Sequence, residues 1–415
     1  MNKKRVVITG MGALTPVGNS VDEYWKNLIK GESGAANITK FDTALFKTQF
    51  ACEVKNFDPL NIMDRKEARK LDLFSIYALA TADEAILDSK LDLEKVNLDR
   101  AGVVWGSGIG GMGTFQEECF NFKDGDGSPR FNPFFVPKMI VDIAAGHISI
   151  KHGLRGPNYV TVSACASSTN AIIDALMLIQ LGKSDFIVTG GSEAGVNIAG
   201  IGGFNALKAL STRNDSPKTA SRPFDSTRDG FVLGEGSGSL ILEELEHAKK
   251  RGATIYAEIN GYGMSADAYH MTLPSETGEG ASRCMTLALN DAELDPTKIE
   301  YINAHGTSTP AGDILELKAV KKTFNNHSSD LIINSSKSMI GHLLGAAGGV
   351  EAIVCILSIL NSKIHQTINV SNLDAECDLN VNHESAVDCN INYALSNSFG
   401  FGGTNGSLIF SKFKD

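Results

Sequence analysis

The sequence predicts a layered α/β fold assembled from two related halves, and three observations carry that prediction. Short β-rich runs alternate with longer helical runs along the whole chain. The order of those runs repeats once: strand, strand, then strand–turn–helix. Glycine is abundant, at 42 residues, and clusters where apolar runs end, at "GSGIGGMG", "LGEGSGS", "GHLLGAAGG" and "FGFGGTNG". Such clusters mark tight turns and close backbone approach rather than low complexity.

Taken in order, the buried-strand candidates are "RVVITG", "AGVVWGS", "NYVTVSA", "DFIVTGG" and "SGSLILEE" in the first half. The second half offers "IYAEING", "IEYINAH", "DLIINSS" and "GSLIFSKF". Helical stretches lie between several of them, including 68–89 and 167–181. The latter is apolar nearly all round, which belongs inside a protein, and Gly182 suits its C-terminal cap. The boundary between the halves is read as 1–253 and 254–415. No linker separates them, so one rigid body is expected.

Composition narrows the function. The 415 residues carry a net charge of −10, against the basic footprint of nucleic-acid binders. No apolar run is read as reaching membrane-spanning length, and "MNKKRVVITGMG" lacks a signal-peptide pattern, so a cytoplasmic protein without membrane insertion is expected. The seven cysteines are odd in number, widely spaced and free of Cys-x-x-Cys, which disfavours a disulfide framework or structural zinc.

Cys165 stands apart. It lies where "NYVTVSA" hands over to the apolar helix, so it sits at a helix N-terminus among small residues. The partial positive charge there favours thiolate, and free N–H groups can hold an oxyanion. A nucleophilic cysteine needs a proton acceptor. His305 in "NAHGTST" and His342 in "SMIGHLLGAAGG", five residues after Lys337, both follow strands and enter glycine-rich turns. If the halves are related, Cys165 and the Lys337–His342 segment occupy comparable strand-to-helix turns. Metal binding is disfavoured, because spacing suggests no third ligand.

The motifs "VSACASS", "NAHGTSTPAGD", "KSMIGHLLGAAGG" and "NSFGFGGTN" resemble, in order, the active-site motifs of the β-ketoacyl-[acyl-carrier-protein] synthases, most closely the elongating type II enzymes of bacterial fatty-acid synthesis. The likeness covers essentially the whole chain. It implies the thiolase fold, two duplicated halves in five α-β-α-β-α layers, and a homodimer. It implies Cys165 as acyl-accepting nucleophile, with His305 and His342 serving malonyl decarboxylation. Lys337 would support them, paired with Glu316 or Glu351. Thr307 and Thr309 would bind pantetheine, and Phe401 would be an acyl gate whose N–H joins that of Cys165 in an oxyanion hole. Ile109, Phe134 and Phe204 would line the acyl pocket. No metal and no cofactor is implied beyond the phosphopantetheine of a partner acyl carrier protein. Lys66, Arg69, Lys70 and Lys208 would meet that acidic carrier.

Three rivals are weaker. A degradative thiolase would carry a second cysteine near the C-terminal glycine loop, where Phe401 stands. A chain-length factor would lack Cys165, and a cysteine hydrolase has no use for paired histidines with a lysine. "GSGIGGMG" does not keep the spacing of a dinucleotide fingerprint.

Overall fold

Residues 3–415 are described by the computed structural model. The strands of the main sheet are β1 (Val6–Leu14), β2 (Ala101–Gly106), β3 (Asn158–Thr161), β4 (Phe186–Glu193) and β5 (Gly236–Glu244), then β6 (Ala257–Ala266), β7 (Tyr301–Asn303), β8 (Ile332–Asn334), β9 (Tyr393–Gly400) and β10 (Thr404–Ser411). They form one sheet in the order β8-β7-β9-β10-β6-β1-β5-β4-β2-β3.

Read outward from the centre, the first half runs β1-β5-β4-β2-β3 and the second β6-β10-β9-β7-β8. Each is the other shifted by five strands. The pairing sense repeats too: the inner pairs are antiparallel and the outer two parallel in both halves. Within the sheet, the halves pair through two residue pairs, Val7 with Glu258 and Ile8 with Ala257. The chain crosses between them after Lys250 and before Ala257.

Eight helices matter for the site: α1 (Leu73–Ser89), α2 (Met112–Asp124), α3 (Ile143–His152), α4 (Ser167–Gln180), α5 (Ile198–Ala206), α6 (Glu279–Asp291), α7 (Gly312–Phe324) and α8 (Ala347–Asn361). Side-chain alternation along the strands explains the layering. Leu240 and Leu242 of β5 and Leu408 and Phe410 of β10 face one core, which also holds Ile172, Leu176, Val350 and Ile353 of α4 and α8. Ile241 faces a second core with Phe74 of α1 and Ile148 of α3. Ile409 faces a third with Met285 of α6 and Leu317 of α7. The inner strands of each half are therefore covered on both faces, which is why they read as continuous apolar runs; β3, expected to be buried, is instead an exposed to half-buried edge strand. The result is α1/α3, half-sheet, α4/α8, half-sheet, α6/α7: five layers.

Local chemistry sets the helix ends. Asp72 caps α1 by accepting from Phe74 N–H. Gly182, at φ +68°, closes α4 as expected, with Lys183 N–H reaching back to the Leu178 carbonyl. A second expectation needs correcting. The run Leu344–Asn361 is long and apolar enough to cross a bilayer. It is the central helix α8 with its lead-in turn, and its apolarity is used between the two half-sheets.

Candidate active site

The strand-to-helix turn at Cys165 is short. Two residues separate β3 from the turn Ala164–Ala166, which runs directly into α4. Ala164 takes φ +51°, and Ser167 Oγ closes the turn by accepting from Ser163 N–H and donating to the Ala164 carbonyl. The Cys165 side chain is 8 % exposed. Backbone N–H groups of Phe401 and of Cys165 itself favour the charged form of its sulfur.

The second half repeats this turn with one change. Leu344, at φ +49°, Gly345 and Ala346 lead into α8 as Ala164, Cys165 and Ala166 lead into α4. Gly345, not His342, is thus the counterpart of Cys165. Nine residues, 335–343, separate β8 from this turn where the first half has two, and that longer connection carries both Lys337 and His342. The comparable-turn expectation is corrected accordingly: the extra length lets the connection reach back to Cys165. His342 is held there as a strand, with its N–H donating to the Val232 carbonyl and its carbonyl accepting from Gly234 N–H. Phe231 packs edge-on against its ring at 5.4 Å between centroids.

His342 Nε2 lies 3.0 Å from Cys165 Sγ. His305 follows β7, and its ring meets that of His342 edge to face, 5.2 Å between centroids. The His305 turn is pinned by Glu316, which accepts from His305 N–H and Gly306 N–H, each at 2.9 Å, and from Asn397. Lys337 pairs with Glu351. Of the two carboxylates expected beside Lys337, Glu351 takes the ion pair and Glu316 serves the His305 backbone.

Burial dominates the electrostatics. It holds His305 well below the usual histidine value, with the Lys337 cation and His342 adding to the effect. Burial and Lys337 do the same to His342. Burial also pushes the Cys165 thiol up to about 11, against the opposing pull of Lys337 and the two N–H groups. Desolvation thus opposes the thiolate that the helix N-terminus favours.

A cavity of about 490 Å³ opens onto these groups. Ile109, Phe204, Phe231, Leu344 and Phe401 give it apolar walls, and Thr307 and Thr309, 3.1 Å apart between hydroxyls, line it as well. Phe134 does not line it within a single chain: it is 41 % exposed, with its ring 5.9 Å from Lys70 Nζ. Lys208 is exposed where it lines the cavity, at its mouth. Lys66 and Arg69 are exposed, while half-buried Lys70 is paired with Glu67 at 2.6 Å. Sequence spacing suggests no third metal ligand, and it is the fold that gathers three donors from distant positions. Donor atoms of Cys165, His305 and His342 lie within 4.8 Å of one another, although one comes from the first half and two from the second.

Sequence reasoning missed Glu193. Fully buried at the end of β4, it accepts from Gly108, Ile109 and Gly110 N–H, from Ser107 Oγ, and from Gly345 N–H. A Cβ at Gly345 would stand 2.2 Å from Gly108 N, so only glycine lets the two turns share this carboxylate. The N–H groups of the glycine loop are spent on Glu193, which leaves that loop no cradle for a phosphate. A charged residue closing the apolar run "DFIVTGGSE" was the available signal. Glu193→Gln is expected to turn an amide N–H₂ toward backbone donors. The cost should be about 1–3 kcal/mol in denaturant unfolding. The acyl-length profile should shift as well, because the loop bearing Ile109 loses its anchor; an unchanged profile would limit Glu193 to stability.

The Beta-ketoacyl synthase N-terminal domain family matches residues 3–248 and its C-terminal domain family residues 256–371. The chain is 51% identical over 411 residues to 3-oxoacyl-[acyl-carrier-protein] synthase 2 of Staphylococcus aureus (strain COL), covering 99% of both chains. It is 49% identical over 415 residues to the Coxiella burnetii protein of the same name, covering 100% of both. Among solved structures, a β-ketoacyl synthase from Burkholderia phymatum superposes with TM-score 0.92 at 37% identity, covering 99% of this chain and 100% of that one. A type II PKS acyl-carrier protein in complex with its ketosynthase, bound to the hexaketide, gives TM-score 0.90 at 33% identity, with 100% of both chains covered.

Proposed function

The chain belongs to the β-ketoacyl synthase family, and on that premise we propose how its residues divide the work of condensation. The activity is that of a 3-oxoacyl-[acyl-carrier-protein] synthase, an acyltransferase that elongates fatty acids. An acyl group moves from its carrier thioester to Cys165, releasing the carrier thiol. Malonyl-carrier then loses CO2, and the resulting enolate attacks the acyl-cysteine. The product is 3-oxoacyl-carrier, and the released Cys165 thiolate takes up a proton from solvent.

The single observation that carries the assignment is the 3.0 Å approach of His342 Nε2 to Cys165 Sγ beside His305. In the first step His342 Nε2 takes the thiol proton as sulfur attacks and returns it to the departing carrier thiol. In the second, neutral His305 and His342 donate N–H to the enolate oxygen. Neither Nδ1 has a hydrogen-bond partner that would lock the tautomer. The backbone N–H groups of Cys165 and Phe401 form the oxyanion hole, and the Lys337–Glu351 pair keeps a fixed cation near both rings. Thr307 and Thr309 take the pantetheine, and Ile109 and Phe204 bound the acyl chain. On this reading residues 1–253 supply the nucleophile and 254–415 the histidines. Incubation with malonyl-carrier and a ladder of acyl-carriers, read by mass, tests it. Products two carbons longer with a 3-oxo group are expected, and hydrolysed acid alone would overturn it.

The acyl carrier protein brings the phosphopantetheine, and the enzyme needs no metal or cofactor of its own for this chemistry. Lys208 at the cavity mouth, with Lys66 and Arg69, supports docking of an acidic carrier. A cytoplasmic homodimer completes the proposal. Supporting the dimer are the unpaired outer edge of β3, followed by Val162 at 60 % exposure, and stacked half-exposed rings of Phe122, Phe131, Phe135 and Phe115. Free cysteines throughout support a reducing compartment.

Phe401 is the gate in this scheme. It opens the three-residue connection between β9 and β10, followed by Gly402 at φ +85° and Gly403 at φ +73°. Those conformations are open to glycine and strained for other residues, so the connection keeps a backbone that can swing. The ring is only half-buried. Phe401→Ala should therefore melt near the parent while condensing at least about tenfold more slowly, a barrier change of about 1.4 kcal/mol. Parent-rate condensation across all chain lengths would refute the gate.

A further inference from the structure

The three reacting side chains are also a soft-donor cluster. Cys165, His305 and His342 are each more than nine-tenths buried, and one donor atom of each lies within 4.8 Å of the others. Four-coordinate zinc takes thiolate at about 2.3 Å and imidazole at about 2.0–2.1 Å, which sets tetrahedral donors roughly 3.3–3.6 Å apart. The cluster brackets that spacing. The contact between His342 Nε2 and Cys165 Sγ, at 3.0 Å, has to open by roughly half an ångström to reach it. The buried Nδ1 atoms of the two histidines have no hydrogen-bond partner, so ring packing against Phe231, Phe399 and each other, not a second hydrogen bond, sets their orientation. The nearby Lys337 ammonium is held in its ion pair with Glu351. The cavity reaches all three residues and leaves the fourth position to water.

We propose that the resting site is also a binding site for a soft divalent cation of the zinc class, and that cation binding and acylation of Cys165 exclude each other. Binding forms a metal–sulfur bond, breaks the S–H bond and releases one proton to solvent. Nothing is oxidised or reduced. Each histidine ligates through a neutral ring nitrogen, and release of the thiol proton makes affinity rise with pH. The inference rests on the geometry of the donors and holds whether or not Cys165 proves to be the acyl acceptor.

Titration of the full chain with Co2+, read by the near-ultraviolet thiolate-to-cobalt absorption, tests it without substrate. The expected result is one saturable Co2+ per chain, displaced by Zn2+. The absorption should vanish in Cys165→Ala and after alkylation of Cys165, and affinity should fall at least about tenfold in His305→Ala and in His342→Ala. Melting curves establish that each variant is folded, and Cys165→Ser, which keeps the shape of the side chain, repeats the test. Absence of saturable binding would overturn the proposal, as would an absorption that survives in Cys165→Ala and so belongs to one of the other six cysteines. Order-of-addition assays should then show Zn2+ blocking acylation of free enzyme but not binding enzyme already acylated.

Discussion

Cys165→Ala is expected to reduce condensation on the order of 10⁴-fold or more while leaving malonyl decarboxylation measurable. The sulfur is the only group in the cavity placed to hold an acyl chain covalently, with His342 at 3.0 Å and two backbone N–H groups favouring its charged form. Removing it deletes the first half-reaction altogether. The histidines stay in place, because His342 is held by backbone pairing with Val232 and Gly234 and His305 by Glu316, not by the sulfur. CO2 release from malonyl-carrier should therefore persist. The fold should survive as well, since the position lies between Ala164 and Ala166 and accepts a methyl group. Peptide mapping after incubation with acyl-carrier should find the acyl group on Cys165 alone. Six other thiols are present, and acylation chiefly at one of them would sink the assignment.

His342→Ala and His305→Ala should separate the half-reactions. With the Cys165 thiol at about 11, roughly one molecule in ten thousand carries thiolate at pH 7. Acylation then depends on proton transfer to His342 as sulfur attacks. His342→Ala should slow acyl-enzyme formation by about 10²–10⁴-fold. His305 does not hydrogen-bond the sulfur, so His305→Ala should leave acylation within an order of magnitude of the parent and slow CO2 release by about 10²–10³-fold. Equal acylation rates in the two variants would show that the thiol is activated by something other than His342. The pH dependence carries the same logic. The base must be neutral to accept the proton, and burial holds His342 well below the usual 6.5. The acid limb of the acylation rate should therefore lie below pH 6.5. Acylation should hold its neutral-pH rate at pH 6.5, where an ordinary histidine would already be half protonated.

What the residues settle locally was legible. Apolar runs marked the strands, the turn at Cys165 followed from small residues between a strand and an apolar helix, and Gly182 marked the end of that helix. The repeated run order anticipated a sheet whose halves share one strand order. These features depend on neighbours a few positions away, and a sequence records such neighbours directly. The rest depended on what packs against what. The helix N-terminus suggested a thiolate, yet the surrounding layers strip water from Cys165, and desolvation opposes the thiolate that a partial charge of about half a unit favours. Two glutamates were plausible partners for Lys337. Glu351 takes it because α8 carries that carboxylate to the buried ammonium, while Glu316 on α7 is turned to the His305 backbone. Phe134 looked like a pocket wall by its motif and lies outside the pocket of its own chain by its placement. Glu193 joins two glycine turns from opposite halves, and three metal-competent donors meet from positions that no spacing rule connects. Burial and long-range contact belong to the folded chain, so the tertiary structure alone decided protonation, pairing and coordination at this site.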